Sequence, residues 1–67
     1  MDEERPVVFT ITRADSNSNN VFRVRTTDPR GSEYNNLITK NIWFSWLCMI
    51  TRELNKKGYA VLFEVEN

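Results

Sequence analysis

The chain has 67 residues, with nine basic and nine acidic side chains, no histidine and one cysteine, Cys48. That length accommodates one small domain. A lone cysteine excludes a disulfide within the chain, and the absence of histidine argues against a structural zinc site, which takes four Cys or His ligands.

Residues 1–5, Met-Asp-Glu-Glu-Arg, read as an acidic, flexible tail; they lack the basic start and apolar run of a secretory signal. The expectation is a cytoplasmic protein, with Cys48 a small apolar residue in a reducing compartment.

Residues 6–13 alternate from Phe9 onward as a half-buried strand does, with Val7, Phe9 and Ile11 facing a core and Val8, Thr10 and Thr12 facing out. Residues 14–20, Ala-Asp-Ser-Asn-Ser-Asn-Asn, carry the chemistry of a hairpin loop. Residues 21–27 form a second strand, with Phe22 and Val24 toward the core and Arg23 and Arg25 on the open face. Asp28-Pro29-Arg30-Gly31 begins a turn over residues 28–35.

A helix is expected over residues 36–57, capped near Asn36 and ended by Gly58, which suits the position just past a helix. Residues 59–65 form a third strand with apolar residues on both faces around Leu62, which suggests a central place in the sheet. The fold class that follows is α+β: one small domain, β-β-α-β, with a three-stranded antiparallel sheet and one long helix on one face. Short connections favour the order 2-1-3, with every neighbour antiparallel, over 1-2-3. Strand 2 is then a free edge.

Stepping 100° per residue places Ile38, Ile42, Trp43, Trp46, Leu47, Met49, Ile50 and Leu54 in one broad apolar sector, expected to pack on Phe9, Ile11, Phe22, Val24, Val61 and Phe63 as the core. Leu37, Phe44 and Cys48 fall on the opposite side, beside Asn41 and Arg52. A helix packed on a single sheet needs one apolar stripe, so a second one is a candidate contact surface. A helix of about 22 residues would span about 33 Å and overhang a strand of about 23 Å, giving a partner a place to pack. Glu53 lies in the apolar sector near the helix end, where it is expected to reach solvent or to pair with Lys57.

No catalytic, metal-binding or cofactor-binding motif stands out; the only glycines are Gly31 and Gly58, so a glycine-rich phosphate loop is excluded. No cofactor, membrane span or small-molecule substrate is expected. The reading is a non-enzymatic protein-interaction module, acting as a homodimer or as an inhibitor or adaptor on a larger protein. Its interface would comprise Leu37, Phe44, Cys48, Asn41 and Arg52. Size and lack of chemistry suit a phage- or mobile-element-encoded regulator. The rival is a nucleic-acid binder using Arg13, Arg23, Arg25 and Arg30 against phosphates. Zero net charge and an open face without aromatic residues argue against that rival. Arg23 and Arg25 are instead expected to pair across strands with Glu64 or Glu66.

Overall fold

A computed structural model describes residues 5–15, 17 and 19–66. Most of the expected acidic tail therefore lies outside the described residues; Arg5, its last member, is exposed. The α+β class holds, but the sheet is mixed and has four strands, in the order β3-β2-β1-β4. These are β1 (Val7–Arg13), β2 (Val21–Arg25), β3 (Asn36–Thr39) and β4 (Val61–Val65), with one helix, α1 (Trp43–Lys56), between β3 and β4.

β1 follows its alternation. Val7, Phe9 and Ile11 are fully buried beneath the helix, while Val8, Thr10 and Thr12 lie on the open face. They meet Val24 of β2, Ile38 of β3, and Ile50 and Leu54 of α1, each at most 1% exposed. The Phe9 ring tilts against Phe63 at 5.7 Å between centroids. Its other side meets Gly31, where a Cβ would come within 2.6 Å of the ring edge, so absence of a side chain is what lets the turn lie so close.

The largest departure from the sequence reading is at residues 36–39, expected as the first turn of the helix. They pair antiparallel with β2, in the register Phe22↔Ile38 and Arg23↔Leu37. Asn35, at the end of the expected turn, extends the sheet with its side chain. Its Oδ1 accepts from the Thr26 N–H at 2.8 Å, and its Nδ2 donates to the Thr26 carbonyl at 3.2 Å. Thr26 is itself buried, and its hydroxyl donates to the Val8 carbonyl at 2.7 Å. These bonds tie the chain beyond β2 to β1 and direct it back as β3.

That extra strand reverses everything after it. β3 runs antiparallel to β2, hence in the direction of β1, and the helix then brings β4 back in the same direction. β4 does lie beside β1, as the 2-1-3 order requires, but it pairs parallel, with Val7↔Val61 and Phe9↔Phe63. β2 is an interior strand rather than a free edge, and β4 is the edge that the order 2-1-3 implies, not the central strand that its two apolar faces suggest.

α1 is also shorter than expected. A 3-10 turn at Lys40–Ile42 precedes it, and no side chain caps its first turn. Trp43, its first residue, is held by packing, edge-on against Phe22 of β2 at 4.5 Å. The helix ends as its sequence indicates: Gly58 adopts φ 91°, and the Tyr59 N–H donates to the Leu54 carbonyl at 2.9 Å. Fourteen residues span about 21 Å, close to the length of β1, so the expected overhang is absent.

Candidate functional site

The five expected interface residues divide. Leu37 belongs to β3, where it sits opposite Arg23 on the open face of the sheet. Asn41 lies in the 3-10 turn. Phe44, Cys48 and Arg52 succeed one another at four-residue spacing along α1, so they share one side of the helix. Phe44 is 79% exposed, the most exposed of the large hydrophobic residues described.

The side of α1 carrying Phe44 looks along the sheet toward β4. Phe44, Leu47, Cys48, Thr51 and Arg52 form a shallow, almost wholly apolar hollow of about 380 Å³, closed at its far side by Phe63 of β4. Leu47 and Phe63 were expected in the core. Both pack against it but stay half-buried, because the helix covers the middle of the sheet and leaves its edge uncovered. Val65, two residues beyond Phe63, shares the helix-facing side with Ile11 yet remains 62% exposed. The candidate surface is therefore the seam between α1 and the β4 edge rather than the back of the helix.

The four candidate arginines do not converge. Arg23 and Arg25 lie on the open sheet face, where they line a groove of about 420 Å³ with Thr10, Thr12 and Glu66. Neither forms an ion pair among the described residues. The expected pairing with Glu64 or Glu66 is thus not made, since β1 separates β2 from β4. Arg13 stands at the end of β1, 3.5 Å from the Asn19 side-chain oxygen. Arg30 is committed elsewhere. Its Nε and Nη2 hold both Asp28 oxygens, the shorter bond at 2.6 Å, and its guanidinium lies 5.0 Å from the centre of the Tyr59 ring.

The Asp28–Arg30 clamp closes the turn that brings Gly31 against Phe9, and the Asp28 carboxylate also accepts from the Arg30 backbone N–H at 2.9 Å. The Arg30 side chain first, then its backbone N–H, hold the Asp28 carboxyl below its ordinary value of 3.8. A depressed carboxylate contributes stability that is complete above the unfolded value and is lost as pH falls through the lower folded value. Acid titration of stability should therefore be shallower below about pH 4 in Asp28→Asn than in the parent chain, read by chemical denaturation at stepped pH. Equal slopes would contradict the clamp.

Glu53 is 42% exposed at its side chain and lies 3.6 Å from Lys56; the expected partner Lys57 reaches Glu33 instead, at 3.4 Å. Among the described residues, no group of three or more His, Cys, Asp or Glu side chains gathers as a metal site would need, and no helix is long and apolar enough to cross a membrane.

Little in the residue types marked Leu47, Phe63 and Val65 as surface. The signal that would have found them is the edge position of the last strand, which the order 2-1-3 already implies. Comparison of the chain with protein-family models, with curated proteins and with solved structures returns no match.

Proposed function

We propose that the chain is a protein-interaction module whose contact surface is the seam between α1 and β4, centred on Phe44. The observation that carries this reading is Phe44 itself, a 79%-exposed aromatic ring at the rim of an apolar hollow floored by Leu47 and Phe63. Scattered apolar surface residues are ordinary. A contiguous cluster with an aromatic member has the composition of an interface centre. No part of the described chain covers it.

Phe44→Glu tests the reading. The variant should keep its circular dichroism and its cooperative unfolding while losing association with its partner chain, itself or another. An unfolded variant would make Phe44 a core residue and end the proposal.

A second reading rests on Arg23 and Arg25, side by side on the open face without ion pairs. Binding a nucleic acid there would depend on phosphate contacts alone, because that face carries no aromatic platform for bases. Arg23→Ala with Arg25→Ala should leave association through the seam unchanged. Salt-dependent binding of a single-stranded oligonucleotide by the parent chain, abolished in the double variant, would establish this second reading instead.

A further inference from the structure

We infer that the partner covering the seam is a second copy of this chain, joined by antiparallel pairing of β4 with β4 about a two-fold axis at Phe63. This inference names the occupant of the surface proposed above and rests on that reading.

The two edges of the sheet differ in what they offer. On β3, the Lys40 N–H donates to the Asn20 carbonyl across to β2. By alternation, Leu37 and Thr39 turn their backbone groups outward. The Leu37 N–H, however, is already bonded to Oδ1 of Asn36 at 2.9 Å, and the strand has only four residues. That edge is short and blunted.

On β4, the Ala60 carbonyl accepts from the Val7 N–H at 2.8 Å, and the Glu66 N–H donates to the Ile11 carbonyl at 2.9 Å. Even-numbered residues thus face β1. Val61, Phe63 and Val65 point their N–H and C=O groups into the open, in a row without bulge or proline. An exposed edge of this kind is a template for another strand unless something guards it.

The residue pattern of β4 suits pairing with itself in one register. With Phe63 on the axis, Phe63 opposes Phe63, and Val61 opposes Val65 on either side. All three outward-facing residues of the strand then enter hydrogen-bonded pairs, each exchanging two N–H···O bonds. Leu62 opposes Glu64, and Ala60 opposes Glu66. An axis at Glu64 would set that carboxylate against its own copy, and an axis at Val65 would set Glu64 against Glu66. Like charges directly opposite one another are destabilising. An axis at Leu62 leaves the outward groups of Val65 beyond the paired strand.

Placing the axis at Phe63 also accounts for the exposed apolar residues. Val65 is bare although it faces the helix side, and in the pair it is covered by Val61 of the second copy. Phe63 closes the hollow below Phe44, so the two hollows meet at the axis. The product is a continuous eight-stranded sheet with both helices on one face, an isologous closed dimer of the commonest symmetry.

Three chains test this. Val65→Pro removes an outward N–H that the fold does not use, at a position where proline is tolerated on an edge. It should weaken dimerisation at least tenfold by sedimentation equilibrium while leaving the circular dichroism unchanged. In a Cys48→Ser background, Leu62→Cys and Glu64→Cys chains should form a disulfide with one another when mixed under mild oxidation. Opposed residues of a non-hydrogen-bonded pair lie about 4.5 Å apart at Cα, within disulfide reach. Neither chain alone should cross-link efficiently, because like positions stand about 8 Å apart on the diagonal. A parent chain that stays monomeric throughout a concentration series overturns the inference. So does a dimer that is indifferent to Val65→Pro and gives no cross-link in the mixture. If such a dimer is nonetheless lost in Phe44→Glu, the seam survives as a contact surface and only the edge pairing falls. If it withstands Phe44→Glu as well, both readings fall.

Discussion

Phe9→Ala should leave the chain largely unfolded at 37 °C. Phe9 is fully buried in an interior strand, with Phe63 on one side of its ring and Gly31 on the other. Truncating a buried phenylalanine costs about 3–5 kcal/mol, the lost transfer energy plus that of the cavity left behind. A domain of this length is stable by about 3–10 kcal/mol in all. The cavity would not close easily, because the turn at Gly31 is fixed by the Asp28–Arg30 clamp and the strand by pairing on both sides. Phe9→Leu, which keeps most of the volume, should retain cooperative unfolding at a cost below that of alanine. Urea denaturation followed by tryptophan fluorescence measures both. A Phe9→Ala chain within about 1 kcal/mol of the parent would mean the core is organised around other residues.

The same substitution at two positions of α1 should have opposite consequences. Ile50→Glu drives a carboxylate into the centre of the core, where no described cation waits for it, and should abolish folding near neutral pH. Phe44→Glu changes a residue that is mostly in water. It also places a negative charge in the first turn of a helix that has no acidic residue there and no side-chain cap. A carboxylate at a helix N-terminus stabilises by about 0.3–1 kcal/mol. The isolated Phe44→Glu chain should therefore melt at the same temperature as the parent or a few degrees higher, when both are compared in dilute solution where association adds nothing. Association through the seam should be lost at the same time. That combination, a chain at least as stable but unable to associate, separates a contact residue from a structural one. A fall in melting temperature of ten degrees would show that Phe44 supports the fold.

The strands with clean alternation were legible, because period two assigns each side chain a face regardless of what lies beside the strand. Val7, Phe9, Ile11 and Val24 are buried as that parity requires. The end of the helix was legible too, since Gly58 meets a backbone need that few other residues can. β3 was not. Asn36-Leu37-Ile38-Thr39 is too short for alternation to stand out, and Ile38, Ile42 and Trp46 happen to fall at four-residue intervals. That spacing mimics one helical face running through a strand, a 3-10 turn and a helix. One unrecognised strand changes the direction of everything after it, so β4 is parallel to β1, and the edge expected at β2 lies at β3 instead.

The candidate surface was half visible for the same reason. Phe44, Cys48 and Arg52 lie within the true helix, where the angular argument is valid, and they share the hollow. A helical projection groups Leu37 with them, but Leu37 lies in a strand, where that projection does not apply. Phe63 and Val65 carry core parity and look internal in the sequence; only the edge position of β4 leaves them uncovered. The arginines show the converse limit. Their spacing put Arg23 and Arg25 correctly on one face, but it could not show that Arg30 is already held by Asp28 and Tyr59.

The most direct test of the seam as a self-contact is the mass of the purified chain by light scattering across a concentration series, under reducing conditions, beside Phe44→Glu. The account predicts a reversible dimer for the parent, dissociating on dilution, and a folded monomer for the variant at every concentration. A parent chain that remains monomeric at the highest concentration, or a Phe44→Glu variant that dimerises as the parent does, would contradict it.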